Sequence, residues 1–121
     1  MSLVIIGAIF ALLSVIFGAF GAHSLENIIG DKMDIYRTAI QYQMFHSIAL
    51  MITGIIIIST KLNLIIIGYL FIIGIILFSG SLYIIAIFKI SKMGMIAPIG
   101  GLSFIIGWIL LIYKLYFNNA I

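Results

Sequence analysis

The stretch IIIISTKLNLIII, residues 55–67, decides the fold. Two aliphatic runs, Ile55–Ile58 and Leu64–Ile67, flank a short turn, Thr60 to Asn63, that carries a single lysine. A transmembrane barrel strand alternates apolar and polar residues, whereas these runs are apolar on every side, which suits helices in lipid. Read outward, the turn joins a helix of about residues 39–59 to one of about residues 64–88.

The whole composition agrees with that hairpin. Of 121 residues, 65% are hydrophobic and 7% charged, and the mean hydropathy is +1.42, far outside the range of a water-soluble domain. A bilayer crossing needs about 20 apolar residues at about 1.5 Å each, so these residues provide about four crossings and little else. The expected fold is all-α, a four-transmembrane-helix bundle forming one membrane-embedded domain over residues 1–121, with spans of about 3–22, 39–59, 64–88 and 95–113. The first apolar stretch superficially resembles a signal peptide. It has no basic n-region and is of full spanning length, so it reads as a retained helix.

Polar chemistry is concentrated in GAFGAHSLENIIGDKMDIYRTAIQYQMFHS, residues 18–47, which holds both histidines, all three acidic residues and the only arginine. From His23 to Arg37 an apolar stripe of Leu25, Ile28, Ile29, Met33, Ile35 and Tyr36 persists, so the connection between helices 1 and 2 is expected to be an interfacial segment. Gly30 is a candidate C′ residue for the first helix, and Asp31, Asp34 or a Thr38–Gln41 capping box is a candidate start for the second. His46 lies nine residues past Arg37, about 13 Å along a helix, and hence below the headgroups.

Four crossings bring the unusual residues to one half of the bilayer. The candidate polar layer is His23, Glu26, Arg37, Tyr42, Gln43, His46, Ser79, Ser81 and Tyr83. Small residues recur at three- or four-residue steps along the first helix (Gly7, Ala11, Ser14, Gly18, Gly21), and Gly80, Gly100, Gly101 and Gly107 continue the series. They predict close helix packing. Trp108, Tyr113, Tyr116 and Lys114 suit an interfacial anchor, and Pro98 suits the first turn of the last helix. Lys32, Arg37, Lys89 and Lys92 fall at the polar end against Lys61 and Lys114 at the other, which predicts a cytoplasmic polar layer with both termini outside.

The formal charge of +3 is spread over these connections and is a topology signal, which excludes a nucleic-acid footprint. With no cysteine, disulfides, thiolate metal sites and thiol catalysis are excluded. A metal site of His23, Glu26 and His46 has the right ligand types, but the depths differ and no second histidine pair completes it, so neither metal nor cofactor is expected. No nucleophile, base and oxyanion donors are placed together, and an enzyme is not expected.

Three readings remain. In one, His46 is an interhelical hydrogen-bonder with Gln43 and Ser79 or Ser81, in a small structural or accessory membrane protein, monomeric or homo-oligomeric. In another, Arg37, Lys32, Lys89 and Lys92 attract the headgroup of a membrane lipid or other small amphiphile. In the third, His46, Gln43, Tyr42 and Ser81 line a transport or proton-relay path.

GAFGAHSL at residues 18–25, TAIQYQMFHS at 38–47, SGSLY at 79–83 and APIGG at 97–101 with Gly107-Trp108 resemble the YgdD/YwdK-type small membrane proteins. That is a family of unknown function with eukaryotic relatives. The resemblance covers nearly the whole chain and implies a four-helix protein of the bacterial plasma membrane, and it supplies no activity. Where that pattern has Thr before the proline, this chain has Ala97, so no hydroxyl is available there.

Overall fold

The computed structural model describes residues 2–118; Met1 and residues 119–121, where both chain ends fall, lie outside it. The elements are α1 (Ser2–His23), α2 (Glu26–Ile29), α3 (Met33–Thr60), α4 (Ile65–Gly74), α5 (Gly80–Phe88) and α6 (Ala97–Phe117). A π-helical turn, Ile75–Ser79, joins α4 to α5 in one continuous rod, and 3₁₀ turns at Gly30–Lys32 and Ser91–Met95 lead into α3 and α6. Four helical stretches are long and apolar enough to cross a membrane, Leu3–Gly21, Glu26–Thr60, Ile65–Phe88 and Ser91–Phe117.

The distribution of side chains is that of a protein dissolved in lipid. Ile5, Ile9, Leu12 and Val15 form an exposed aliphatic stripe on α1, and Leu102, Ile105, Ile109 and Ile112 form another on α6. Inside are Ser14, Gln43, His46, Ser47, Thr53, Ser79, Ser81 and Ser103, all buried. Hydrocarbon offers aliphatic side chains no penalty, whereas a polar group in it must find a partner within the protein.

The second span is the hub. It packs along α1 on one side and against α4, the π turn and α5 on another, while α6 packs on α4 and the π turn. One apolar cluster, containing Leu3, Leu50, Leu64, Ile67, Phe71 and Phe104, occupies one half of the molecule, and a smaller one of Ile29, Tyr36 and Ala86 fills the interfacial end.

Several boundaries differ from expectation. Helix α3 begins at Met33, six residues before Ala39, with no side-chain cap from Asp31 or Asp34. Thr38 lies inside the helix and bonds back to the Asp34 carbonyl (2.9 Å), so the capping box is not used. Gly30, at φ 55°, closes the short α2, and α1 has already ended at His23. Helix α6 runs to Phe117, four residues past Tyr113, with Pro98 in its first turn. Lys61 and Lys89 take left-handed conformations (φ 63° and 61°) as the C-caps of α3 and α5. Glycine usually takes that place because a Cβ is penalised there.

The small residues divide into two kinds. A Cβ on Gly7 would meet Met51 Cγ at 2.5 Å and the Ser47 carbonyl at 2.7 Å, and one on Gly100 would run into the backbone of Leu77 and Phe78. Gly21 lies against the Tyr36 ring and Gly107 against Phe71. Gly18 and Gly80, expected in the packing series, have nothing within 4 Å of that position, and Gly101 has only the Phe78 ring at 3.7 Å. Spacing places a residue on a helix face, but whether a neighbour approaches depends on where along the crossing it falls.

Candidate functional site

The polar layer resolves into two clusters and a rim. The first cluster is built on Gln43. Its Nε2 donates to the Phe10 carbonyl of α1 (2.8 Å) and its Oε1 accepts from the Tyr83 hydroxyl of α5 (2.5 Å), so one amide ties three helices together. One turn toward the interface, the Ser79 hydroxyl donates to the Ala39 carbonyl (2.8 Å). The Tyr36 hydroxyl donates to the Phe17 carbonyl, and the Tyr83 ring stands edge-on to both Phe17 and Tyr36. Ser81 and Ser47 bond within their own helices, to the carbonyls of Phe78 (2.9 Å) and Gln43 (2.5 Å).

The second cluster surrounds His46, and here the structure corrects the expected partners. His46 bonds neither Gln43 nor Ser79 nor Ser81. Its Nδ1 lies 2.9 Å from the Tyr42 carbonyl, and Trp108 Nε1 donates to its Nε2 at 2.9 Å. An indole N–H can only donate, so Nε2 accepts and the proton sits on Nδ1, directed at the carbonyl. Both ring nitrogens of the neutral tautomer are thereby occupied. The imidazole stacks on Phe104 with centroids 3.6 Å apart and planes 14° apart, and Phe71 meets it edge-on. Trp108 is therefore no interfacial anchor. It stands eleven residues into α6, about 16 Å along the helix, and binds across the bundle.

Between α3 and α6 an aromatic groove of about 570 Å³ opens beside His46, lined among others by Tyr42, Phe45, Phe78, Phe104 and Trp108. The two helices are joined here chiefly by side chains, with Trp108 and Phe104 reaching across to His46.

His23, Glu26 and Arg37 stay on the exposed rim, and the set of His23, Glu26 and His46 is not assembled. Among the described residues no three His, Asp or Glu side chains are gathered for a metal. Arg37 pairs with Asp34 at 3.6 Å. Lys89, one of the cations expected to attract a headgroup, donates to the Ile29 carbonyl (2.5 Å) and lies 3.9 Å from Asp31, which pins the interfacial segment to the end of α5.

Residues outside the expected layer also carry it: Tyr36, Trp108, Phe104, and Ser103, whose hydroxyl donates to the Leu70 carbonyl at 2.6 Å and ties α6 to α4. Depth alone marks Trp108, since an indole N–H that far from a helix end needs a protein partner.

These features define a four-span integral membrane protein whose buried polar groups join helix to helix. The chain belongs to the family described as protein of unknown function (DUF423), whose model matches residues 17–101. It is 46% identical over 114 residues to a UPF0382 membrane protein of Staphylococcus haemolyticus, covering 93% of each chain. It is 48% identical over 110 residues to a UPF0382 membrane protein of Staphylococcus aureus, covering 90% of each. No solved structure matches the chain.

Proposed function

We propose that this protein is a structural or accessory component of a bacterial membrane, without catalytic activity, and that its polar layer serves to hold four helices in register. One observation carries this reading: among the described residues no buried side-chain nitrogen or oxygen lacks a hydrogen-bond partner. Six of those bonds cross between spans, from Tyr36, Gln43, Tyr83, Ser79, Ser103 and Trp108. A catalytic or relay group has to keep a valence open for substrate or for the next proton carrier. His46 faces an indole that accepts no proton, so a relay ends there.

Purified protein in liposomes under a pH gradient is expected to leak no faster than empty liposomes. A proton flux that disappears in His46→Ala overturns the proposal. The lysine and arginine distribution favours a cytoplasmic polar end with both termini outside. The chain has no native cysteine, so one placed after Ala120 is expected to react with an impermeant thiol reagent in intact cells; protection from the reagent reverses the orientation.

A further inference from the structure

We propose that the cavity between the end of α1, α2 and the start of α3 is a binding site for a phospholipid headgroup that joins a phosphate to a primary ammonium. The cavity measures about 430 Å³, within the range of small-ligand sites, and its lining includes Gly18, Glu26, Gly30, Tyr36, Arg37 and Ile40. It lies where α1 gives way to the polar connection, which is the headgroup level of a bilayer.

Two opposite charges share this opening without neutralising each other. Among the described residues Glu26 has no ion-pair partner, and the ion pair of Arg37 is with Asp34, whose side chain is 97% exposed while that of Arg37 is 71% exposed. Such a pair contributes little and yields readily to a better anion. A guanidinium receives a phosphate through two parallel hydrogen bonds, and a carboxylate accepts from the three N–H donors of an ammonium. A headgroup carrying both satisfies both sides. A purely anionic headgroup meets repulsion from Glu26, and a choline headgroup has no N–H to give it.

The floor accommodates the rest of the lipid. Nothing stands within 4 Å of the Cβ position of Gly18 or of Gly30, and Met33 and Ile40 supply apolar wall for the first methylenes of an acyl chain. Lys89 and Lys92 are not part of this lining.

Native mass spectrometry of the full chain in mild detergent tests the proposal, with phosphatidylethanolamine, phosphatidylcholine and phosphatidylglycerol of identical chains supplied in equal amounts. Phosphatidylethanolamine adducts are expected to exceed each of the others about fivefold, as one charge-assisted hydrogen bond at a partly hydrated site implies. Glu26→Gln is expected to bring phosphatidylethanolamine and phosphatidylcholine to parity. Gly18→Leu fills the floor and is expected to abolish retention while the melting temperature holds. Equal retention of the three lipids, a preference for phosphatidylglycerol, or a discrimination unchanged by Glu26→Gln overturns the proposal.

Discussion

The junction of α1, α3 and α5 and the junction of α3 with α6 are both polar contacts inside a membrane, yet they are built in opposite ways. At the first, glycine lets backbones meet: Gly7 sits against Ser47 and Met51, and Gln43 spans the remaining gap by bonding α1 and α5 at once. At the second, the helices stand apart, and aromatic rings on His46, Phe104 and Trp108 fill the distance beside an open groove. The comparison teaches that closeness of backbone, and not polarity, separates a sealed contact from an adaptable one in lipid. Where backbones meet, any added atom has to displace main chain; where rings meet, a rotamer change suffices.

The contrast is most open to attack at Gly7. Gly7→Ala places a Cβ against a backbone carbonyl and is expected to cost about 2 to 3 kcal/mol of stability, read from unfolding in mixed detergent micelles. A variant as stable as the native chain removes the sealed side of the comparison. Next in size, Gln43→Leu leaves the Tyr83 hydroxyl without its acceptor and is expected to cost about 1 to 2 kcal/mol in the same measurement. Trp108→Phe keeps a ring in the groove but removes the N–H to His46, and about 0.6 kcal/mol is expected, a typical value for one interhelical bond. A loss larger than that of Gln43→Leu inverts the comparison. At the bottom of the scale, Gly101→Ala points into the groove with only the Phe78 ring at 3.7 Å, and its unfolding free energy is expected to match the native one within about 0.5 kcal/mol.

The all-helical architecture and its four spans are legible in the sequence because hydropathy and run length are properties of single segments. Ile55–Ile58 and Leu64–Ile67 announce a hairpin with no knowledge of what it packs against. The gathering of unusual residues at one end follows from counting crossings. Pairings within that layer are properties of two helices at once, and there the sequence runs out. His46 sits three residues from Gln43 on the same helix, a spacing that pairs them locally, but successive turns of α3 face different neighbours. Gln43 turns to α1 and α5, and His46 to α6. The early start of α3 was hidden for a related reason. No side chain caps it, and a preceding 3₁₀ turn, whose Asp31 lies 3.9 Å from Lys89 across the bundle, stands in place of a capping motif.

The π turn at Ile75–Ser79 leaves a mark in chain length. It holds one residue more than an α-helix would need over the same rise, so removing one residue from it closes the turn to an ordinary α-helix and leaves everything downstream in place. Tyr83 would then still meet Gln43, and Lys89 would still meet Ile29. A relative that is one residue shorter at this point is therefore expected to keep the Gln–Tyr pair, whereas a one-residue gap elsewhere in the rod turns everything downstream by about 100° and breaks it. The π turn is where this rod can lose a residue without losing its partners.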